Sequence, residues 1–271
     1  MHLKMENAAE DSAAVVDGIA GLFSSMCLPR LADKSLYLGA PLPVLEGFRQ
    51  ALAEQRSEDE KKRFANKLRY AGIAKERTAN TFAWGEGSYP LAEPGAIEDA
   101  LAIGFIRQRR NLMLAGPPGA GKSLLAAIIA CKAIREGFSV RYKTAHDIAM
   151  EIGEAKDGNS LSGYIRKLQA CDVLIIEDLT FATFDSRAAQ SFFSVIDKRY
   201  GRKTTAITSN GNINEWARGL PDENMGAALL GRFYEEALLV NMNGCEDMRL
   251  RRAKGMLGAM GKGASGAAGG A

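Results

Sequence analysis

The sequence predicts an α/β fold, a parallel sheet flanked by helices, preceded by a small all-helical domain. From Gly95 onward, helical patterns alternate with the short apolar runs "NLMLAG", "SVRYKT", "DVLIIED", "TTAITSN" and "ALLVNM". Such alternation builds parallel sheets with helices on both faces. From about Ala13 to Thr81, in contrast, apolar residues recur at three- and four-residue spacings with charges between them, the mark of amphipathic helices. Between these regions "FAWGEGSYPLAEP" places Gly85, Gly87, Pro90 and Pro94 where a regular element would have to run, so residues 82–94 read as a linker.

Taken in order, residues 1–12 are expected to lack regular structure. Residues 13–81 form the helical domain through "VVDGIAGLF", "VLEGFRQALAEQ" and "KKRFANKLRYAGIAKERT". Residues 95–257 form the α/β domain, and residues 258–271, rich in glycine and alanine, have too little to bury and are expected to be disordered. With 271 residues and 46% hydrophobic content the chain can bury one large core and a smaller one. A net charge of +3 means that any affinity for nucleic acid must come from local clusters. Cys27, Cys131, Cys171 and Cys245 lie far apart, without a C-x-x-C pair, and only His2 and His146 could join them, which argues against a zinc site or a disulfide framework. No apolar stretch reaches bilayer length, and acidic residues precede any apolar run at the N-terminus. The expectation is a soluble, cytoplasmic protein without membrane contact.

Within the α/β region, Leu112 to Ala115 fit a buried strand and "GPPGAGKS" matches G-x-x-x-x-G-K-[ST]. "SLLAAIIACKAIREG" continues as a helix closed by Gly137. A phosphate needs an arc of backbone N–H groups at a helix N-terminus, so glycines that let the chain curl serve better than reactive side chains. The cradle is therefore Gly116, Pro117, Pro118, Gly119, Ala120, Gly121, Lys122 and Ser123, with Leu124 opening the helix. Lys122 would reach the β- and γ-phosphates of ATP, and the Ser123 hydroxyl would hold Mg²⁺.

A second strand should bring acid to that metal. "CDVLIIEDL" ends in Glu177 and Asp178, fifty-five and fifty-six residues after Lys122, and strand alternation sends them to different sides. One carboxylate can meet Mg²⁺ while the other polarises the attacking water. Glu177 is assigned to the metal and Asp178 to the water, the reverse division staying open on sequence alone. "TTAITSN" ends in Asn210, which either orients that water and senses the γ-phosphate or simply forms a turn before Gly211.

These residues, in this order and spacing, resemble an AAA+ ATPase. Within that class the chain resembles the IstB/DnaC-like ATPases, the transposition helpers and replicative-helicase loaders, from about Pro29 to Lys254. The resemblance implies an ATPase that forms a homo-oligomer with ATP at the subunit interfaces, and whose partner is a transposase or a replicative helicase. It also implies two arginine roles. Arg232, in "LLGRFYEEALLVNM", sits at the position of the arginine finger, which acts on a neighbour's ATP; a surface ion pair with Glu235 or Glu236 is the other reading. Arg249, in "GCEDMRLRRAKG", matches the sensor 2 arginine that contacts nucleotide.

Double-stranded DNA is the expected partner surface. Lys61, Lys62, Arg63, Lys67, Arg69, Lys75 and Arg77 put seven cations in seventeen residues against the single acid Glu76. Such a face neutralises phosphates, and without a base-reading motif its binding should be largely independent of sequence. The other reading of a charge run is a solvated helix face. From other functional classes, a P-loop small-molecule kinase would need a substrate lid pattern that is missing here, and an ATP-held switch would show negligible turnover.

Overall fold

The computed structural model describes residues 2–81, 94–158, 160–245 and 247. The chain divides into two compact units between Asn66 and Lys67, inside one long helix. The first unit holds α1 (His2–Ser25), a 3₁₀ turn (Lys34–Tyr37) and most of α2 (Leu42–Ala71). Val16, Ile19 and Phe23 recur along one stripe of α1 and pack with Leu45. The rings of Phe23, Tyr37 and Phe48 close this small core with centroids 6.0 to 6.4 Å apart. Residues 2–12, expected to lack regular structure, are instead helical; their alanines and glutamates are strong helix formers even where few apolar residues mark a face. Most of the expected linker (82–93), Arg249 and the glycine- and alanine-rich tail lie outside the described residues.

The second unit begins with the last turn of α2 and continues through a 3₁₀ turn (Ala79–Thr81), α3 (Pro94–Ala102) and α4 (Gly104–Arg107). Then follow β1 (Leu112–Ala115), α5 (Lys122–Arg135), β2 (Val140–Thr144), α6 (Ala145–Asp157), α7 (Leu161–Ala170), β3 (Val173–Glu177) and a 3₁₀ turn (Leu179–Phe181). The chain closes with α8 (Ser186–Arg199), β4 (Thr204–Ser209), α9 (Ile213–Arg218), α10 (Glu223–Tyr234) and β5 (Leu238–Asn241). Each of the five apolar runs is a strand. All pairings are parallel, and the strand order is β2-β3-β4-β1-β5.

Val173 to Ile176 are fully buried, which is why β3 reads as a continuous apolar run rather than an alternating one. Each of these side chains contributes roughly 1.5 to 3 kcal/mol by leaving water. Leu174 and Ile176 join the core beneath α6 to α10, so alternation turns Val173, Ile175 and Glu177 toward α5. The outer edge of β2 is covered by the end of α2. Arg141 lies 3.7 Å over the Tyr70 ring and donates a 2.7 Å hydrogen bond to the Tyr70 carbonyl. Gly72 has φ +91°, and a Cβ there would stand 2.5 Å from the Tyr142 carbonyl oxygen. Only glycine meets both conditions. Beneath the sheet, the fully buried guanidinium of Arg199 donates to the carbonyls of Leu168, Cys171 and Thr204 and to Thr205 Oγ1. It thereby ties the C-terminus of α7, where the helix dipole favours a cation, to the starts of β3 and β4.

Candidate nucleotide site

Three neighbouring strands deliver the site. β3, β4 and β1 lie side by side and parallel, so their C-terminal ends open on one edge of the sheet, where α/β folds bind ligands. β1 ends in the loop Gly116 to Gly121, β3 in Glu177 and Asp178, and β4 in Ser209 and Asn210.

Gly119 (φ +78°) and Gly121 (φ +96°) take the left-handed conformations that curl the loop. Gly121 caps α5 without a side-chain hydrogen bond, leaving the first N–H groups of that helix to an anion. Gly116 has a different reason. A Cβ there would come within 2.9 Å of the Met242 backbone, so this glycine admits the chain leaving β5. Lys122 is only 4% exposed. Its Nζ donates to the carbonyls of Gly116 (2.7 Å) and Pro117 (2.8 Å), which seats the ammonium inside the bend. Around it Ala120 is fully buried, Pro117 and Leu124 are half-buried and Pro118 is exposed. The carboxylate of Asp247 lies against Gly119, in the space a side chain there would fill, and so already places an anion at the electropositive loop.

Ser123 stands exposed in the first turn of α5. Glu177 Oε1 is buried without a hydrogen-bond partner. A buried carboxylate oxygen left unpaired calls for a cation or an ordered water, so the donor set of Ser123 hydroxyl and Glu177 carboxylate fits a hard divalent cation such as Mg²⁺. Tyr142, on β2, donates from its hydroxyl to the Ser123 carbonyl at 3.2 Å. Burial, then the nearby charge of Glu177, push the Tyr142 pKa far above its usual value.

Asp178 and Asn210 are brought together. Asn210 Nδ2 donates to Asp178 Oδ1 at 2.6 Å, which gives this asparagine a partner in the site beyond any turn it forms. Asp178 holds a left-handed backbone, φ +53°, and its N–H donates to Thr208 Oγ1 at 3.0 Å. The two carboxylates thus diverge from one strand end, Glu177 toward α5 and Asp178 toward β4.

Arg232 is not part of this cluster. Asn111 Nδ2 donates to its carbonyl at 2.7 Å, which places it at the N-terminal end of β1, roughly 16 Å along the strand from the loop. Its guanidinium pairs with Asp197 of α8 (Nε 2.9 Å, Nη2 2.5 Å), not with Glu235 or Glu236, and lies 4.9 Å over the Phe193 ring. The seven cations Lys61, Lys62, Arg63, Lys67, Arg69, Lys75 and Arg77 are all exposed, on α2 and the segment after it. Tyr142, Thr208, Asp197 and Asp247 were missed by sequence reasoning, because each acts through a neighbour that only strand order or chain return supplies.

Residues 43–255 match the family of IstB-like ATP binding proteins. The chain belongs to that family. It is 32% identical over 209 residues to an insertion-sequence ATP-binding protein of Sinorhizobium fredii, covering 76% of this chain and 69% of that one. It is 29% identical over 187 residues to the ATP-binding protein of insertion sequence IS5376 of Geobacillus stearothermophilus, covering 69% and 73%. Among solved structures, a DNA replication initiation factor shares the fold with a TM-score of 0.53 at 22% identity, over 67% of this chain and 54% of that one. The replication initiator DnaA bound to AMPPCP and single-stranded DNA gives 0.50 at 23% identity, over 61% and 49%. These two structures share the α/β fold of the ATPase. No helix among its described residues is long and apolar enough to cross a membrane.

Proposed function

We propose that this ATPase, with ATP and Mg²⁺, assembles into a homo-oligomer on duplex DNA and recruits or regulates a transposase, leaving strand chemistry to that partner. The observation that carries the DNA contact is the exposed run from Lys61 to Arg77, seven cations and one acid. Each phosphate it neutralises releases counterions, so binding should weaken steeply with salt and depend little on base sequence. The transposase rests on relatives named as insertion-sequence proteins.

At the nucleotide, the loop N–H groups and Lys122 hold the phosphates, while Ser123 and Glu177 hold the cation. Mg²⁺, when bound, neutralises charge on the transferring phosphoryl group. Asp178 accepts a hydrogen bond from the attacking water and polarises it, and Asn210 fixes the rotamer of that carboxylate. Arg232 lies too far from its own loop to take part, so it completes a neighbour's site after releasing Asp197.

The test is particle mass, by mass photometry, of the protein with duplex DNA, with single-stranded DNA and without DNA, each with and without ATP. Large particles that need both ATP and duplex support the reading. Preference for single strands points to a helicase loader instead, and monomers under every condition overturn assembly.

A further inference from the structure

We propose that Asn111 is a positioning residue for Arg232, whose side-chain amide fixes the end of α10 to the sheet and so sets where the guanidinium stands when it reaches a neighbour's nucleotide. This rests on the reading of Arg232 as the residue that completes the neighbour's site.

The carbonyl of Arg232 is one of the last in α10, and such carbonyls run out of helical N–H partners. The chain leaves the helix at Glu235 and turns through Glu236 in the left-handed region, φ +53°. Asn111 Nδ2 supplies the missing donor at 2.7 Å, while its Oδ1 accepts the Thr205 N–H of β4 at 3.0 Å. A backbone carbonyl only accepts and a backbone N–H only donates, so the amide has one orientation here, and a carboxylate of the same shape could serve only the Thr205 side. Two flanking bonds pin the same turn. Arg110 Nε donates to the Glu236 carbonyl and the Leu238 N–H donates to the Asn111 carbonyl, each at 2.8 Å.

Arg232 thus has two anchors with different fates. Its guanidinium is held by Asp197 and the Phe193 ring, and that ion pair has to open before the arginine acts elsewhere. The two side chains of the pair are 26% and 50% exposed, so opening it costs little. The Asn111 bond is to the main chain and stays. Once Asp197 lets go, the reach of the side chain is measured from a backbone held against the starts of β1 and β4. A misplacement of about 1 Å, caused far from the chemistry, can slow a reaction about a hundredfold, which is the size of effect expected from losing this anchor.

The experiment uses full-length Asn111→Asp and Asn111→Ser beside wild type. Aspartate keeps the acceptor for Thr205 and loses the donor for Arg232; serine is too short to serve both. Under saturating ATP, Mg²⁺ and DNA, kcat should fall about ten- to hundredfold, while affinity for a fluorescent ATP analogue stays within twofold and the melting temperature within a few degrees. Mixing then separates the arginine from the subunit's own site. Added Lys122→Ala subunits, with Asn111 and Arg232 intact, should restore turnover, whereas added Arg232→Ala subunits should not. An unchanged kcat, an equal loss of nucleotide affinity, no rescue by Lys122→Ala, or a large fall in melting temperature in both variants overturns the positioning role. The mixture of Arg232→Ala with Lys122→Ala is the control. If it too stays inactive, the assignment of Arg232 to a neighbour's site fails and Asn111 falls with it; if it alone recovers, only the role of Asn111 fails.

Discussion

Thr208→Val probes the Asp178–Asn210 pair, proposed to orient the attacking water, through the buried residue that holds Asp178. Thr208 is 1% exposed, and its Oγ1 accepts the Asp178 N–H at 3.0 Å. Valine keeps the shape and removes the acceptor. An N–H left unpaired costs about 1 to 3 kcal/mol, and a half-buried one falls at the lower end. Asp178 also sits at φ +53°, and a non-glycine residue there stores roughly 1 to 3 kcal/mol that relaxation would release. Together these favour a rearranged strand end, in which the 2.6 Å contact from Asn210 to Asp178 is lost. A shift of about 1.4 kcal/mol depopulates the productive arrangement tenfold. Under saturating ATP, Mg²⁺ and DNA, kcat should therefore fall about ten- to thirtyfold, while nucleotide affinity, read with a fluorescent analogue, holds within twofold. A kcat within twofold of wild type would refute the reasoning, provided Asn210→Ala in the same assay slows turnover.

Four further outcomes follow from the geometry. Asp247→Asn removes a negative charge from the phosphate loop at Gly119, so ATP should bind several-fold tighter by fluorescence titration, with the gain shrinking in high salt. Gly72→Ala forces a Cβ onto the Tyr142 carbonyl at a left-handed φ of +91°, and thermal melts should show a loss of at least about 1 to 3 kcal/mol. Arg232→Ala and Lys122→Ala, each inactive alone, should regain ATPase activity when mixed if the arginine acts across a subunit boundary; no recovery at any ratio would exclude that arrangement. The fourth outcome concerns acid. At Asp172, burial opposes ionisation but is outweighed by hydrogen bonds from Lys203 and from the Ser139 hydroxyl and N–H, which hold its pKa down to about 2. The depressed pKa makes the folded state bind protons less readily than the unfolded one, so this contribution is present above about pH 4 and lost as the pH falls toward 2. Asp172→Asn should flatten the stability profile over that window in melts taken from pH 5 to pH 2.

How much was legible in the sequence follows from how local each signal is. Gly119, Gly121, Lys122 and Ser123 could be read because a phosphate loop is formed by consecutive residues between a strand and a helix. The five strands were visible because a parallel sheet covered on both faces demands short, continuous apolar runs such as Val173 to Ile176. Glu177, Asp178 and Asn210 were nominated as strand-end residues, and their meeting needed only that β3 and β4 be neighbours. The helical character of residues 2–12 went unread, since alanine and glutamate stabilise a helix without marking an apolar face.

By itself, then, the sequence determined which segments are strands, where the glycine loop joins β1 to α5, and that cations gather between Lys61 and Arg77, since propensity, burial pattern and loop chemistry act between residues close in the chain. The tertiary structure alone decided that Tyr142 reaches the Ser123 carbonyl, that Thr208 holds Asp178, that Gly116 makes room for Met242, and that Arg232 is paired with Asp197, 35 residues away. Those contacts depend on strand order and register, and a shift of one residue in register would turn Tyr142 to the other face of the sheet.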